Sequence, residues 1–143
     1  MKKKENIFKS WFVKALRTNG AIVRVIETGV VTAAFPDVYY AHDGVTMLIE
    51  IKQQENIDGP SFTRKVPFRE GQQSFLVRNR MHGGNSMVAI SYRNCFVCTD
   101  VIWIDSNEHL IESGERFVST KESFTARDFF NWVHRNFKST SVI

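Results

Sequence analysis

Two β-rich segments, residues 34–41 and 45–52, meet at His42-Asp43-Gly44. Asp-Gly between such runs signals a hairpin, because glycine enters the positive-φ region of a tight turn without steric cost. The second arm is apolar and β-branched, as suits a central strand, yet it ends in Leu48-Ile49-Glu50-Ile51-Lys52. Side chains alternate along a strand, so Glu50 and Lys52 project to one side and Ile49 and Ile51 to the other. Asp37 is expected on the first arm, its chain direction fixed by Pro36. Two carboxylates on paired strands can meet at one point, and Lys52 stands one pleat from Glu50.

The other segments fall in order around this hairpin. Residues 5–18 set Ile7, Phe8, Trp11, Phe12, Ala15 and Leu16 at helical spacing, and Asn19-Gly20 stops the helix. Residues 21–27 are β-branched and predict a strand. Residues 53–68 have no period and hold Asp58-Gly59-Pro60 and Pro67 as breakers; a connection of that length is more often functional than accidental. Residues 69–82 predict a helix ended by Gly83-Gly84, and residues 86–92 a strand. Residues 95–104 supply one or two short strands. Thr125 caps a last helix to about residue 137, with Phe129, Phe130, Val133 and Phe137 on one face. The predicted order is α-β-β-β-α-β-β-α, a mixed sheet with helices packed against it.

Length and composition narrow the class. A chain of 143 residues fits one domain, taken as 1–143, with 43% apolar and 24% charged residues, as in ordinary globular proteins. No apolar run approaches a membrane span, and none follows Lys2-Lys3-Lys4 to make a signal peptide, so a cytoplasmic protein is expected. Cys95 and Cys98 are the two cysteines; zinc would need a second pair of ligands, so buried, reduced thiols are expected. Charge is unevenly spread. Residues 1–20 carry six Lys/Arg against Glu5, and residues 61–93 carry six against Glu70, whereas residues 100–128 carry seven acids against three bases. A polyanion is the natural partner of the basic part.

The Asp37, Glu50 and Lys52 group has a chemical use. Magnesium takes oxygen ligands in an octahedron and keeps several waters. Asp37 and Glu50 can supply two ligands and the Ile51 carbonyl a third, and manganese accepts the same donors. Lys52 can orient a water or stabilise charge on a phosphate. An E-x-K triplet alone means little, since charged residues are common on exposed strand faces. Pro-Asp in one strand with E-x-K at the end of the next is far more specific.

Pro36-Asp37, twelve intervening residues and Glu50-Ile51-Lys52 resemble the PD-(D/E)XK nuclease superfamily. Asp37 to Gly44 ahead of Glu50-Ile51-Lys52-Gln53 is similar to RecU-type Holliday junction resolvases. So are Pro67-Phe68 leading to Gln72, then Gly83-Gly84 and the strand from Met87. Archaeal-type resolvases and VRR-type nucleases share much of the pattern, including a glutamine on the following helix, here in Gln72 to Leu76. The resemblance implies a restriction-endonuclease-like core and a magnesium-dependent endonuclease acting on DNA, branched DNA above all. It implies Asp37, Glu50 and Lys52 as catalytic residues, Gln72 in support, Glu5 as an acidic residue of the first helix near the metal, and a homodimer.

Arg64 and Lys65, in the 53–68 loop just after the site, suit phosphate positioning, with Arg69 beside them and Lys2, Lys3 and Lys4 as a basic tail. Two other readings stand beside the resolvase: a restriction or repair nuclease for linear or flapped DNA, and a DNA-binding protein that keeps the nuclease fold without catalysis.

Overall fold

The hairpin forms where the turn chemistry places it. Asp43 and Gly44 have φ of 47° and 85°, and His42 pairs with Val45 across them. That is a two-residue turn with both central residues at positive φ, whose twist matches that of the strands. In this computed structural model residues 4–26 and 34–139 are described, with side chains from residue 7 onward. Lys2 and Lys3 lie outside the described residues, as do the side chains of Lys4 and Glu5.

The element order is α1 (Lys4–Thr18), β1 (Ile22–Val25), β2 (Val38–His42), β3 (Val45–Gln54), α2 (Gln72–Met81), β4 (Ser86–Tyr92), β5 (Phe96–Asp100), a 3₁₀ turn (Val101–Trp103), β6 (Arg116–Ser119) and α3 (Ala126–Asn136). The six strands lie in sequence order in one sheet. Every pair is antiparallel except β3 and β4, which are parallel with α2 as their crossover.

Four expectations shift. β6 adds a strand that the predicted order lacked. β2 starts at Val38, so Asp37 stands one residue ahead of the strand rather than on it. β3 runs on to Gln54, into the stretch expected to be loop. The second helix starts at Gln72 rather than residue 69, because Gly71 before it sits at φ 83°, outside helical space.

Two apolar clusters sandwich the sheet. On one face α1 and α3 pack Phe8, Phe12, Leu16, Phe129 and Trp132 against Val38, Tyr40, Ile49 and Ile51. Phe137 also belongs to this core, and Phe130 packs against it. On the other face Leu76 of α2 and Val66 of the 53–68 loop pack on Val88, Ile90 and Val97, with Phe62 and Phe68 against them. Cys98 is buried, Cys95 is partly buried, and both are free thiols, with burial holding the Cys98 thiol well above its ordinary range. Among the described residues no helix is long and apolar enough to cross a membrane.

The 53–68 loop is held at several points. Its Gly59 lies flat on the Tyr92 ring, where any Cβ would collide, and its N–H donates to Asn94 Oδ1. Farther along, Gln54 Nε2 donates to the Lys65 carbonyl and Val66 N–H to the Glu108 carbonyl. Arg64 and Lys65 are therefore presented, exposed, from an anchored segment just past the end of β3.

Candidate active site

The site sits where β2 ends and β3 continues. Strand pairing stops at Val38 against Ile49. Two residues further, the same register would set Pro36 against Ile51. Proline has no N–H, so the ladder bond that the Ile51 carbonyl would accept there cannot form. The Ile51 N–H is taken instead by the Asp37 side chain, Oδ2 at 2.9 Å. The Asp37 carbonyl accepts from Ile26 N–H at 2.8 Å, which ties its backbone to the end of β1. Pro-Asp thus ends the ladder, turns a carboxylate onto the exposed peptide edge and leaves the Ile51 carbonyl facing the same gap.

Glu50 and Lys52 project from the other side of the β3 pleat to Ile49 and Ile51, as alternation requires, and both are buried. Lys52 Nζ lies 3.3 Å from Glu50 Oε2. Gln72, the first residue of α2, joins them: its Oε1 accepts from Lys52 Nζ at 2.6 Å and its Nε2 donates to Glu50 Oε2 at 2.9 Å. The same Oε1 accepts from Arg69 N–H at 2.7 Å, so the turn into α2 fixes the amide orientation. Sequence reasoning missed Phe68, whose ring centroid lies 5.9 Å from Lys52 Nζ, a cation–π distance. It also missed the Phe35–Phe75 pair, centroids 5.3 Å apart, which links α2 to the segment leading into Asp37.

Electrostatics make this cluster incomplete by itself. Burial pushes the Glu50 carboxyl up to about 8, with the neighbouring Asp37 charge adding to the effect and Lys52 opposing it. Two carboxylates on one gap, one of them buried, have the single ammonium of Lys52 against them. Among the described residues no group of three or more His, Cys, Asp or Glu side chains comes together as a metal cage. Two carboxylates plus a backbone carbonyl nevertheless form a hard-oxygen donor set suited to a divalent cation that keeps its waters.

No protein-family model matches the chain, and no curated protein matches it. Among solved structures, a Holliday junction resolvase, Hjc of Archaeoglobus fulgidus, superposes with a TM-score of 0.54. The match covers 82% of this chain and 88% of that one, at 16% sequence identity. The chain has a restriction-endonuclease-like α/β fold.

Of the residues singled out by sequence, the structure brings Asp37, Glu50, Ile51, Lys52 and Gln72 together. Arg64, Lys65 and Arg69 are exposed, and their segment is tied to the site through its backbone, the Arg69 N–H donating to Gln72 and the Lys65 carbonyl accepting from Gln54. Glu5 falls in the first turn of α1, with its side chain outside the described residues.

Proposed function

We propose that this chain is a divalent-metal-dependent DNA endonuclease that hydrolyses phosphodiester bonds, with magnesium as its cation and a branched DNA, the four-way junction first, as its substrate. The observation that carries this reading is the buried Glu50–Lys52–Gln72 network beside an Asp37 carboxylate turned onto the Ile51 peptide. The fold shared with the archaeal resolvase supports it.

Asp37, Glu50 and the Ile51 carbonyl would hold the cation. When bound, a divalent cation lowers the pKa of a bound water and neutralises charge on the phosphate. The Ile51 N–H holds Asp37 in place without consuming both of its oxygens. Gln72 fixes the Lys52 ammonium beside Glu50, so its charge would oppose the negative charge that builds on the phosphate. Arg64, Lys65 and Arg69 supply phosphate contacts beside the cut. A two-fold homodimer would set two such sites against the two opposed strands of a junction.

The test offers purified protein linear, nicked, flapped, forked and four-way DNA with magnesium, maps the products and sizes the protein by light scattering. The expected result is paired symmetric incision of the junction by a dimer, manganese replacing magnesium and calcium permitting binding with little cutting. Asp37→Ala and Glu50→Ala should abolish cutting while binding persists. Equal cutting of linear duplex by a monomer would favour the restriction or repair reading. Binding with no metal-dependent product from any substrate would overturn the enzyme and leave a DNA-binding protein of the same fold.

A further inference from the structure

Among the described residues, helix α2 and the 53–68 loop cover only half of the sheet on the face that carries Glu50 and Lys52. The apolar cluster there draws its strand residues from β4 and β5 and has none from β1 or β2. The other half is made by side chains of one parity: Ile22 and Arg24 on β1, Tyr39 and Ala41 on β2, Thr46 and Leu48 on β3. Register sets Arg24 opposite Tyr39 and Tyr39 opposite Leu48, so the three form one row across the sheet. Leu48 is one pleat before Glu50 on the same face. Strand geometry therefore puts Tyr39 about 8 Å from Glu50. Tyr39 is 37% exposed and Ile22 61%, high values for an aromatic and a branched aliphatic on a sheet, and Arg24 is exposed as well.

We infer that this open half-sheet seats the DNA strand on one side of the cut, with Tyr39 as a stacking platform for an unpaired base and Arg24 as a phosphate contact. The inference rests on the nuclease reading above and extends it to a feature of the substrate. Charge complementarity and continuity with the candidate active site support DNA as the occupant. Past the end of β3 lie Arg64 and Lys65; then come Lys52 and Glu50; then the Leu48–Tyr39–Arg24 row. Exposed cations thus stand on either side of the site, Arg64 and Lys65 beyond the Gln54 end of β3 and Arg24 in the row before it, and the exposed aromatic of that row lies next to the site. Aromatic rings hold bases without regard to sequence because every base has a π-face, and the base must be unpaired to offer it. The substrate would accordingly have unpaired or easily opened nucleotides beside the scissile phosphate, as at a branch point.

The test measures binding by fluorescence anisotropy, in chelator, of labelled single-stranded, four-way and blunt duplex DNA. Tyr39→Ala should weaken single-stranded and four-way binding about tenfold and duplex binding much less. Tyr39→Phe should restore it, and Arg24→Gln should lower the salt slope by about 0.7–0.9. If wild type binds DNA but the Tyr39→Ala and Arg24→Gln variants match it in affinity and salt slope, the seat is refuted while the nuclease reading stands. Equal loss in Tyr39→Ala and Tyr39→Phe would refute stacking. If Tyr39→Ala keeps DNA affinity but halves the mass seen by light scattering, the face binds a second copy instead. No DNA binding by wild type would overturn both readings together.

Discussion

Replacing Glu50 by glutamine should stabilise the metal-free protein, and by an amount that grows with pH. The Glu50 carboxyl is pushed from 4.5 to about 8 in the folded chain. Between those values the folded state holds a proton that the unfolded state has released. A carboxyl raised in this way contributes stability that is full below 4.5 and is lost as pH rises through about 8. At pH 7 the cost of carrying glutamic acid is about 3 kcal/mol, and above pH 8 it approaches about 5 kcal/mol. Glutamine resembles the protonated carboxyl in shape and can still accept from Gln72 through its own Oε1. The difference in unfolding free energy between Glu50→Gln and wild type, from urea titrations in chelator, should be near zero at pH 4.5 and rise steadily to pH 8. Adding magnesium should stabilise wild type by mass action and leave the variant unmoved. A difference that stays flat from pH 5 to pH 8.5 would mean that folded Glu50 is charged without a cation, and the idea of a site short of positive charge would be wrong.

Other outcomes follow from the same contacts. Gln72→Ala removes the 2.6 Å partner of Lys52 and the 2.9 Å donor to Glu50, so cleavage in single-turnover assays should fall about 10- to 100-fold while binding in chelator is unchanged; a wild-type rate would show that Gln72 positions neither residue. Arg64→Ala with Lys65→Ala should weaken binding to every DNA and lower the salt slope by up to about 2, and an unaltered slope would remove the loop from the interface. Pro36→Ala supplies the N–H that the Ile51 carbonyl lacks at that register position, so β2 can zip two residues further and compete with Asp37 for the Ile51 peptide. Cleavage should drop about tenfold or more with no loss of stability in urea, and an unchanged rate would mean that proline has no part in holding the site open.

What could be read from the sequence is what short-range physics decides. The Asp43-Gly44 turn and the strict alternation of β3 place Glu50 and Lys52 on one face and bury Ile49 and Ile51 on the other, and both features depend only on neighbours along the chain. β6 depends instead on pairing between Cys98 and Phe117, far apart in sequence, and its four residues are too short and too evenly exposed to show alternation. Helix α2 buries only Gln72 and Leu76, so its period cannot mark its start, and Arg69-Glu70-Gly71 is helical in composition until Gly71 takes positive φ. The 53–68 loop shows its irregularity in sequence, but not the Tyr92 ring, Asn94 amide and Glu108 carbonyl that anchor it.

Asp37 is the case in which both kinds of information are needed. Periodicity sets it on a strand because nothing local tells where pairing will stop. Pairing stops at Val38 because the residue due opposite Ile51 is a proline, and an unpaired peptide edge inside a protein needs a partner. The Asp37 carboxylate is that partner, and in meeting the Ile51 N–H it is brought against the buried Glu50. Pro-Asp and E-x-K are therefore one device. The first ends a ladder in front of a central strand, the second loads that strand with a carboxylate and an ammonium on the same pleat, and the gap between them gathers negative charge that a cation can balance.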